Sequence, residues 1–264
     1  MIPLNSMTPS ALNAFRLDGQ TALVTGASSG LGQHFAQLLA SVGARVVLAA
    51  RRTDKLADTV AQIEAAGGQA RAVALDVTSS ASVAACFDAL ADWGAPGIVI
   101  NNAGVTVTRS ALQQTEADWD SVMNTNLKGA WLVATEAARR LVAAGQGGSI
   151  VNVASILGER VAGGVAPYAI SKAGVLQATK ALALELARHR IRVNALLPGY
   201  VVTDLNRDFL LSEAGQRLRE RIPSRRFGEM TDLDGPLLLL ASQAGAAMSG
   251  ATLAVDGAHL VSSL

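Results

Sequence analysis

Short runs dominated by Val, Ile, Leu and Ala recur along the chain at 21–24, 45–49, 70–75, 97–100, 149–153, 191–197 and 252–255. Most are continuously apolar rather than alternating, which is the pattern of strands covered on both faces. Between them lie stretches of helical length at 32–42, 53–66, 79–93, 118–144 and 168–189. Strand–helix alternation with short connections predicts an α/β fold: a doubly wound parallel sheet of about seven strands with helices on both faces. Residues 1–16 read as a flexible leader and 17–264 as one domain, since no repeat, linker or low-complexity tract divides the rest. Segment 200–228 departs from the alternation. It is rich in polar and basic residues and predicts helices or loops over the sheet edge, placed to serve as a substrate lid.

Composition narrows the class of protein. Of 264 residues 50% are hydrophobic and only 16% charged, against about 25% charged in an average domain. Disorder is excluded, a large core is expected, and so few charges point to buried subunit interfaces. Lys and Arg number 22 and Asp and Glu 21, a balance that argues against a nucleic-acid partner. Cys86 stands alone and the three histidines, His34, His189 and His259, are scattered, so no His- or Cys-based metal site is expected. No run approaches the ~18 apolar residues of a membrane span, and residues 1–18 lack the basic start and apolar core of a secretion signal. A soluble, cytoplasmic protein without membrane contact is expected.

The first strand runs into Thr25-Gly26-Ala27-Ser28-Ser29-Gly30-Leu31-Gly32 and then into an amphipathic stretch. Gly26, Gly30 and Gly32 permit a tight turn and a close backbone approach to phosphate, and the N–H groups of Ser28 to Gly32 open a helix whose positive end favours an anion. The spacing is G-x-x-x-G-x-G, and the Gly-Lys-Ser/Thr ending of a nucleotide-hydrolysing loop is missing. The second strand ends Ala49-Ala50-Arg51-Arg52. In a dinucleotide fold this tip lies beside the adenosine ribose, where an acid would bind the 2′-OH of NAD and an arginine the 2′-phosphate of NADP. The acid is missing; Arg51 and Arg52 read either as that phosphate site or as a solvated turn. Asp76, at the end of the third strand, reads as a contact to the adenine amino group or as a cap for the helix near Ser79.

A second set of residues carries proton chemistry. Ser155 ends a strand, and Tyr168 and Lys172 stand four apart on a helix and so share a face. A free phenol, with a pKa near 10, is a poor base at neutral pH; a neighbouring ammonium stabilises the phenolate and lowers that value. So tuned, Tyr168 can give or take a proton at an alcohol or carbonyl oxygen to which Ser155 also hydrogen-bonds.

These features, in this order, resemble the short-chain dehydrogenase/reductase family in its standard branch of roughly 250 residues. The resemblance runs from about Leu17 to Gly257 through Thr25–Gly32, Asp76, Asn101-Asn102-Ala103-Gly104, Asn126, Ser155, Tyr168 with Lys172, and Pro198-Gly199-Tyr200-Val201-Val202-Thr203. It implies a Rossmann-like sheet and a role for each matched residue. Tyr168 is the acid/base, Ser155 polarises the substrate oxygen, and Lys172 lowers the tyrosine pKa and binds the nicotinamide ribose. Asn126 holds a water linking Lys172 to solvent. Asn102, Ala103 and Gly104 wall the cofactor, Asp76 and Val77 flank its adenine, and Pro198, Gly199, Val201 and Thr203 cover the nicotinamide. Ala50 stands where NAD-preferring members carry Asp, which favours NADP with NAD as the alternative. At Asp256-Gly257-Ala258 a second Gly is usual, a departure that touches a subunit contact.

The implied activity is hydride transfer between NADP(H) and a ketone/secondary alcohol pair, without a metal. The runner-up readings are an NAD-dependent alcohol or sugar dehydrogenase of the same family and a non-catalytic dinucleotide-binding protein. Enoyl reduction is disfavoured because the branch that performs it spaces its Tyr and Lys further apart. Ile156, Leu157, Val161, Ala162, Val165 and Ala166 form an apolar pocket wall that suits a hydrophobic ketone or acyl chain. Arg217, Arg219, Arg221, Arg225 and Arg226 read as a solvated helix face or as an attractor for an anionic substrate. Resemblance further implies a homotetramer, or failing that a dimer, through the helices at 118–144 and 168–189 and the last strand.

Overall fold

The computed structural model describes residues 11–203 and 206–262. These form one seven-stranded sheet: β1 (Thr21–Thr25), β2 (Arg45–Ala50), β3 (Gln69–Ala74), β4 (Ile98–Asn101), β5 (Gly148–Val153), β6 (Ile191–Pro198) and β7 (Thr252–Val255). The order is β3-β2-β1-β4-β5-β6-β7 and every pairing is parallel, in the expected doubly wound, Rossmann-like arrangement. The order reverses between β1 and β4, which opens a crevice at the carboxyl ends of these two strands.

Side chains alternate across the sheet. From β1 and β2, Ala22, Val24, Val46, Leu48 and Ala50 pack with α1 (Gly30–Ser41), α2 (Ala57–Ala65) and α9 (Asp234–Ala241), through Phe35, Leu39, Ile63, Leu237 and Leu240. Leu23, Val47 and Ala49 face the other way, toward α3 (Ser80–Asp88), α5 (Gly129–Ala143) and α6 (Ala166–Leu186), through Val83, Phe87, Val133, Leu141 and Leu182. Both faces are therefore apolar, which is why the strands read as continuous hydrophobic runs.

Two departures from the sequence reading have physical causes. The stretch 118–144 is α4 (Glu116–Met123) and α5 joined by one π-helical turn, Asn124–Lys128, rather than one regular helix. A π turn adds a residue to the helical repeat, and here it turns Asn126 into the interior. Helix α9 was not anticipated; its Leu237-Leu238-Leu239-Leu240 run is apolar all round and gives no helical periodicity. Segment 200–228 contains two short helices, α7 (Arg207–Leu211) and α8 (Glu213–Arg221). Residues 1–10 of the expected leader lie outside the described residues; 11–15 form a short 3-10 turn. Among the described residues no helix is long and apolar enough to cross a membrane.

Candidate active site

The crevice at the β1/β4 switch opens into a cavity of about 450 Å³ at the carboxyl ends of the strands. One end is the glycine turn. Gly26 and Gly30 take positive φ of 64° and 54°, as a tight strand-to-helix reversal requires. A Cβ on Gly32 would stand 2.3 Å from the Gly26 carbonyl oxygen and 2.6 Å from Asn102 Nδ2, so the turn closes only on glycine there. Ser28, Ser29, Gly30 and Leu31 line the cavity, and Ser29 gives α1 no side-chain cap. The N–H groups at that helix start are thus left for an anion.

Thr25 braces the turn from below, a function that sequence reasoning did not assign. Its Oγ1 accepts from the N–H groups of Asn102 at 3.1 Å and Ala103 at 3.0 Å. Asn102 Nδ2 in turn donates to the carbonyls of Thr25 at 3.1 Å and Gly26 at 3.2 Å. Only the position of a hydroxyl at the strand end signalled it. The segment Asn102, Ala103 and Gly104 forms the cavity wall, as expected.

The tip of β2 brings Ala50, Arg51 and Arg52 to the same cavity, with both guanidinium side chains exposed. Asp76 and Val77 line it beside them, joined by Thr78. Thr78 donates through N–H at 3.0 Å and Oγ1 at 2.8 Å to Asp76 Oδ1, and these bonds hold the carboxyl below its ordinary pKa, with a smaller contribution from Arg51. The expected cap role is corrected: Ser79 caps α3, its Oγ accepting from Ser82 N–H at 3.2 Å, while Asp76 ties the turn before it.

Tyr168 and Lys172 lie at the other end. Pro167 sits in the first turn of α6, where its missing N–H costs nothing, one residue after the helix begins at Ala166 and one before Tyr168. Tyr168 is partly exposed on the cavity. Lys172 is 5% exposed, with Nζ 5.5 Å from the Tyr168 ring centroid. Nζ donates to the Val153 carbonyl at 2.7 Å, which pins α6 to β5. Two residues on, Ser155 caps a 3-10 turn, its Oγ accepting from Leu157 N–H at 3.1 Å. Burial raises the Tyr168 pKa, and a hydrogen bond with Ser155 acts in the opposite direction. The sequence reading had Lys172 lowering it. Burial lowers Lys172 itself to about 8.

Asn126 is 2% exposed and wholly engaged. Its Oδ1 accepts from Val105 N–H at 2.8 Å, and Nδ2 donates to the Val105 carbonyl at 2.9 Å and to Ser171 Oγ at 3.0 Å. Its side chain therefore fastens the loop after β4 to α6. Gly104 lies against it: a Cβ there would be 3.4 Å from Asn126 Oδ1 and 3.7 Å from Lys172 Nζ.

Thr203 lines the cavity opposite the glycine turn, its Cγ2 3.8 Å from where a Gly30 Cβ would stand. Pro198 ends β6, and Gly199 and Val201 lie behind it around a separate cavity of about 130 Å³. Of the expected site residues, Gly32, Ser155, Lys172, Asn126, Pro198, Gly199 and Val201 do not line the larger cavity themselves. Thr125, which sequence reasoning passed over, does. A wider cavity of about 620 Å³ opens at the opposite, amino-terminal end of the sheet, remote from all these groups. Among the described residues no group of three His, Cys, Asp or Glu side chains is arranged to hold a metal ion.

A family model described as enoyl-(acyl carrier protein) reductase matches residues 26–258. The 2-dehydro-3-deoxy-D-gluconate 5-dehydrogenase of Escherichia coli (strain K12) is 38% identical over 251 residues, 94% of this chain and 98% of that protein. The gluconate 5-dehydrogenase of Gluconobacter oxydans (strain 621H) is 36% identical over 250 residues, 94% of this chain and 97% of that protein. A crystal structure of a gluconate 5-dehydrogenase from Burkholderia cenocepacia J2315, in complex with NADP and tartrate, superposes with a TM-score of 0.92 at 36% identity. That match covers 96% of this chain and 100% of the other. Sheet order, motif order and full-length likeness agree, and the chain belongs to the short-chain dehydrogenase/reductase family of oxidoreductases.

Proposed function

We propose that the protein is an NADP(H)-dependent dehydrogenase that interconverts a secondary alcohol and a ketone on a small, hydroxylated, sugar-derived molecule. The carrying observation is Tyr168 on the wall of a cavity whose far end is a glycine turn at an uncapped helix start, with Ser155 hydrogen-bonded to Tyr168 and the buried Lys172 Nζ 5.5 Å from its ring centroid. The named sugar and sugar-acid dehydrogenases among its relatives support the substrate class, and the relative holding NADP supports the cofactor.

The residues present suit a dinucleotide. Glycine at 26 and 32 lets the turn close against Ala103 and the Gly26 carbonyl, the α1 N–H groups suit a pyrophosphate, and Arg51 and Arg52 suit a 2′-phosphate beside the small Ala50. Bound there, the nicotinamide supplies or accepts a hydride. Tyr168, kept protonated at neutral pH by burial, donates its proton to the carbonyl oxygen in reduction and recovers it in oxidation. Ser155 hydrogen-bonds the same oxygen and steadies the charge that develops on it. Lys172, near the midpoint of its own titration in mildly alkaline solution, holds the ribose side of the site and passes protons toward solvent. With the Asn126 side chain committed to Val105 and Ser171, a relay water would rest on main-chain groups of the π turn.

Residues 17–264 act as one catalytic domain with 200–228 as its lid; Phe209 and Leu211 on α7 are exposed, as an open lid would leave them. The working form is a homotetramer, or a dimer, in the cytoplasm. Exposed Trp119, Trp131, Ile170 and Leu184 on α4, α5 and α6 supply apolar surface for such contacts. The test of function is NADPH oxidation across simple ketones, diketones, keto sugar acids and β-ketoacyl esters, with NADH in parallel. Turnover of keto sugars or keto sugar acids with NADPH is expected; inactivity on the whole panel would overturn the reading. Equal or better kcat/KM with NADH would favour the NAD-linked sugar dehydrogenase instead.

A further inference from the structure

The turn of α6 that carries Tyr168 and Lys172 holds a third polar side chain. Ser171 is fully buried. Its Oγ donates to the Tyr168 carbonyl at 2.7 Å and accepts from Asn126 Nδ2 at 3.0 Å. The first bond is the ordinary return of a helical serine to its own preceding turn. The second reaches a side chain 45 residues away, on the π turn. Asn126 also holds both main-chain groups of Val105, which lines the same cavity as Tyr168. A continuous run of hydrogen bonds therefore leads from the cavity wall through Asn126 and Ser171 to the main chain of Tyr168.

The same stretch of α6 approaches its neighbours closely. A Cβ on Gly174 would stand 2.7 Å from Leu127 Cδ2 on the π turn, and one on Gly158 would stand 3.0 Å from the Lys172 carbonyl oxygen. Such apolar and steric contacts bring a helix near without fixing its rotation, because they are non-directional. A hydrogen bond has an angular demand and does fix it. The helix carries its own comparison. Thr179, eight residues further on, is likewise fully buried; its Oγ1 donates to the Val175 carbonyl at 2.8 Å and accepts from Asn152 Nδ2 at 2.9 Å. The bond pattern is the same, but it ties α6 to β5 through residues that do not line the cavity.

We propose that Ser171 is a positioning residue: by bridging Asn126 to the Tyr168 main chain, its hydroxyl sets the rotation of the start of α6 against the π turn and holds the phenol within reach of the reacting oxygen. This rests on the reading of Tyr168 as the group that gives and takes the proton, and adds the side chain that aims it. Ser171 itself touches neither substrate nor cofactor. Its loss should cost rate rather than binding, since a misplacement of about 1 Å at a reacting group can cost about a hundred-fold.

The test is steady-state kinetics with NADPH and the best ketone of the panel above, on wild type, Ser171→Ala, Ser171→Cys and Thr179→Val, at a temperature where circular dichroism shows each folded. Ser171→Ala should lower kcat about ten- to a hundred-fold, with KM for the ketone and NADPH affinity by fluorescence titration within about three-fold of wild type. Ser171→Cys, of similar size but with a feebly bonding thiol, should fall between wild type and Ser171→Ala, and decides by the same criteria if the alanine variant does not fold. Thr179→Val should lower the thermal midpoint yet keep kcat within about two-fold. Wild-type kcat in the Ser171 variants, equal kcat losses in Ser171→Ala and Thr179→Val, or a loss confined to KM or NADPH affinity would each overturn the inference and leave the functional reading standing. A wild type inactive on the whole panel with NADPH and NADH would overturn both.

Discussion

At the scale of single residues the proposed chemistry rests on what burial does to two side chains. Lys172 has an ordinary pKa of 10.5 that burial lowers to about 8, so the unfolded chain binds the extra proton between those values. Stability from this group is therefore lowest below pH 8, rises with pH up to 10.5, and is fully regained above it, a swing of about 3 kcal/mol. Urea unfolding of wild type and Lys172→Met at pH 7 and pH 10 should show wild type gaining on the variant as pH rises; a constant difference would mean the ammonium is not desolvated. Tyr168→Phe should leave NADPH binding intact and lower kcat by at least about a hundred-fold, the usual worth of a placed general acid. Ala50→Asp with Arg51→Ala should move the kcat/KM ratio toward NADH, because a carboxylate repels a 2′-phosphate and accepts from a 2′-OH. Tyr168, Lys172 and the glycines were legible because their chemistry demands a residue type at a spacing. Thr25 was not, since a strand-end threonine acquires its meaning only from neighbours far away in sequence.

Among the elements, the π turn at Asn124–Lys128 governs how the site is assembled. It turns Asn126 inward to satisfy both main-chain groups of Val105 and to reach Ser171, whose Oγ donates to the Tyr168 carbonyl at 2.7 Å. Asn126→Ala would leave the part-buried N–H and carbonyl of Val105 without their side-chain partner, at a cost of about 1–3 kcal/mol. Thermal unfolding should detect that cost, and KM for NADPH should rise as the loop after β4 loosens. Gly32→Ala should be worse tolerated than Gly30→Ala. The first forces a Cβ against main chain at 2.3 Å, whereas the second meets nothing nearer than 3.8 Å and carries only the strain of its positive φ. Strand positions followed from apolar runs because both sheet faces are covered. Helix interiors were less legible: a π turn has no signature in hydrophobic period, and α9 is apolar on every side.

For the whole molecule, the low charge content goes with exposed apolar side chains on α4, α5 and α6. Leu184 on α6 is 83% exposed and Trp131 on α5 is 45% exposed, side chains that the proposed subunit contacts would cover. Light scattering at micromolar concentration should report a tetramer or dimer, and Trp131→Glu with Leu184→Glu should shift it toward monomer. A wild type that is monomeric would remove the assembly from the reading without touching the chemistry. The doubly wound topology was readable from element order alone, because a parallel sheet built by right-handed crossovers leaves few arrangements.

The Thr25 brace has one further consequence. Its hydroxyl meets Asn102 and Ala103 across 77 and 78 residues of chain, so the glycine-turn end of the site exists only after β1 and β4 have found each other. Such long-range closure is slow relative to helix formation. During refolding, then, far-ultraviolet ellipticity should return well before the capacity to quench or enhance nicotinamide fluorescence, and a Thr25→Val chain should widen that interval.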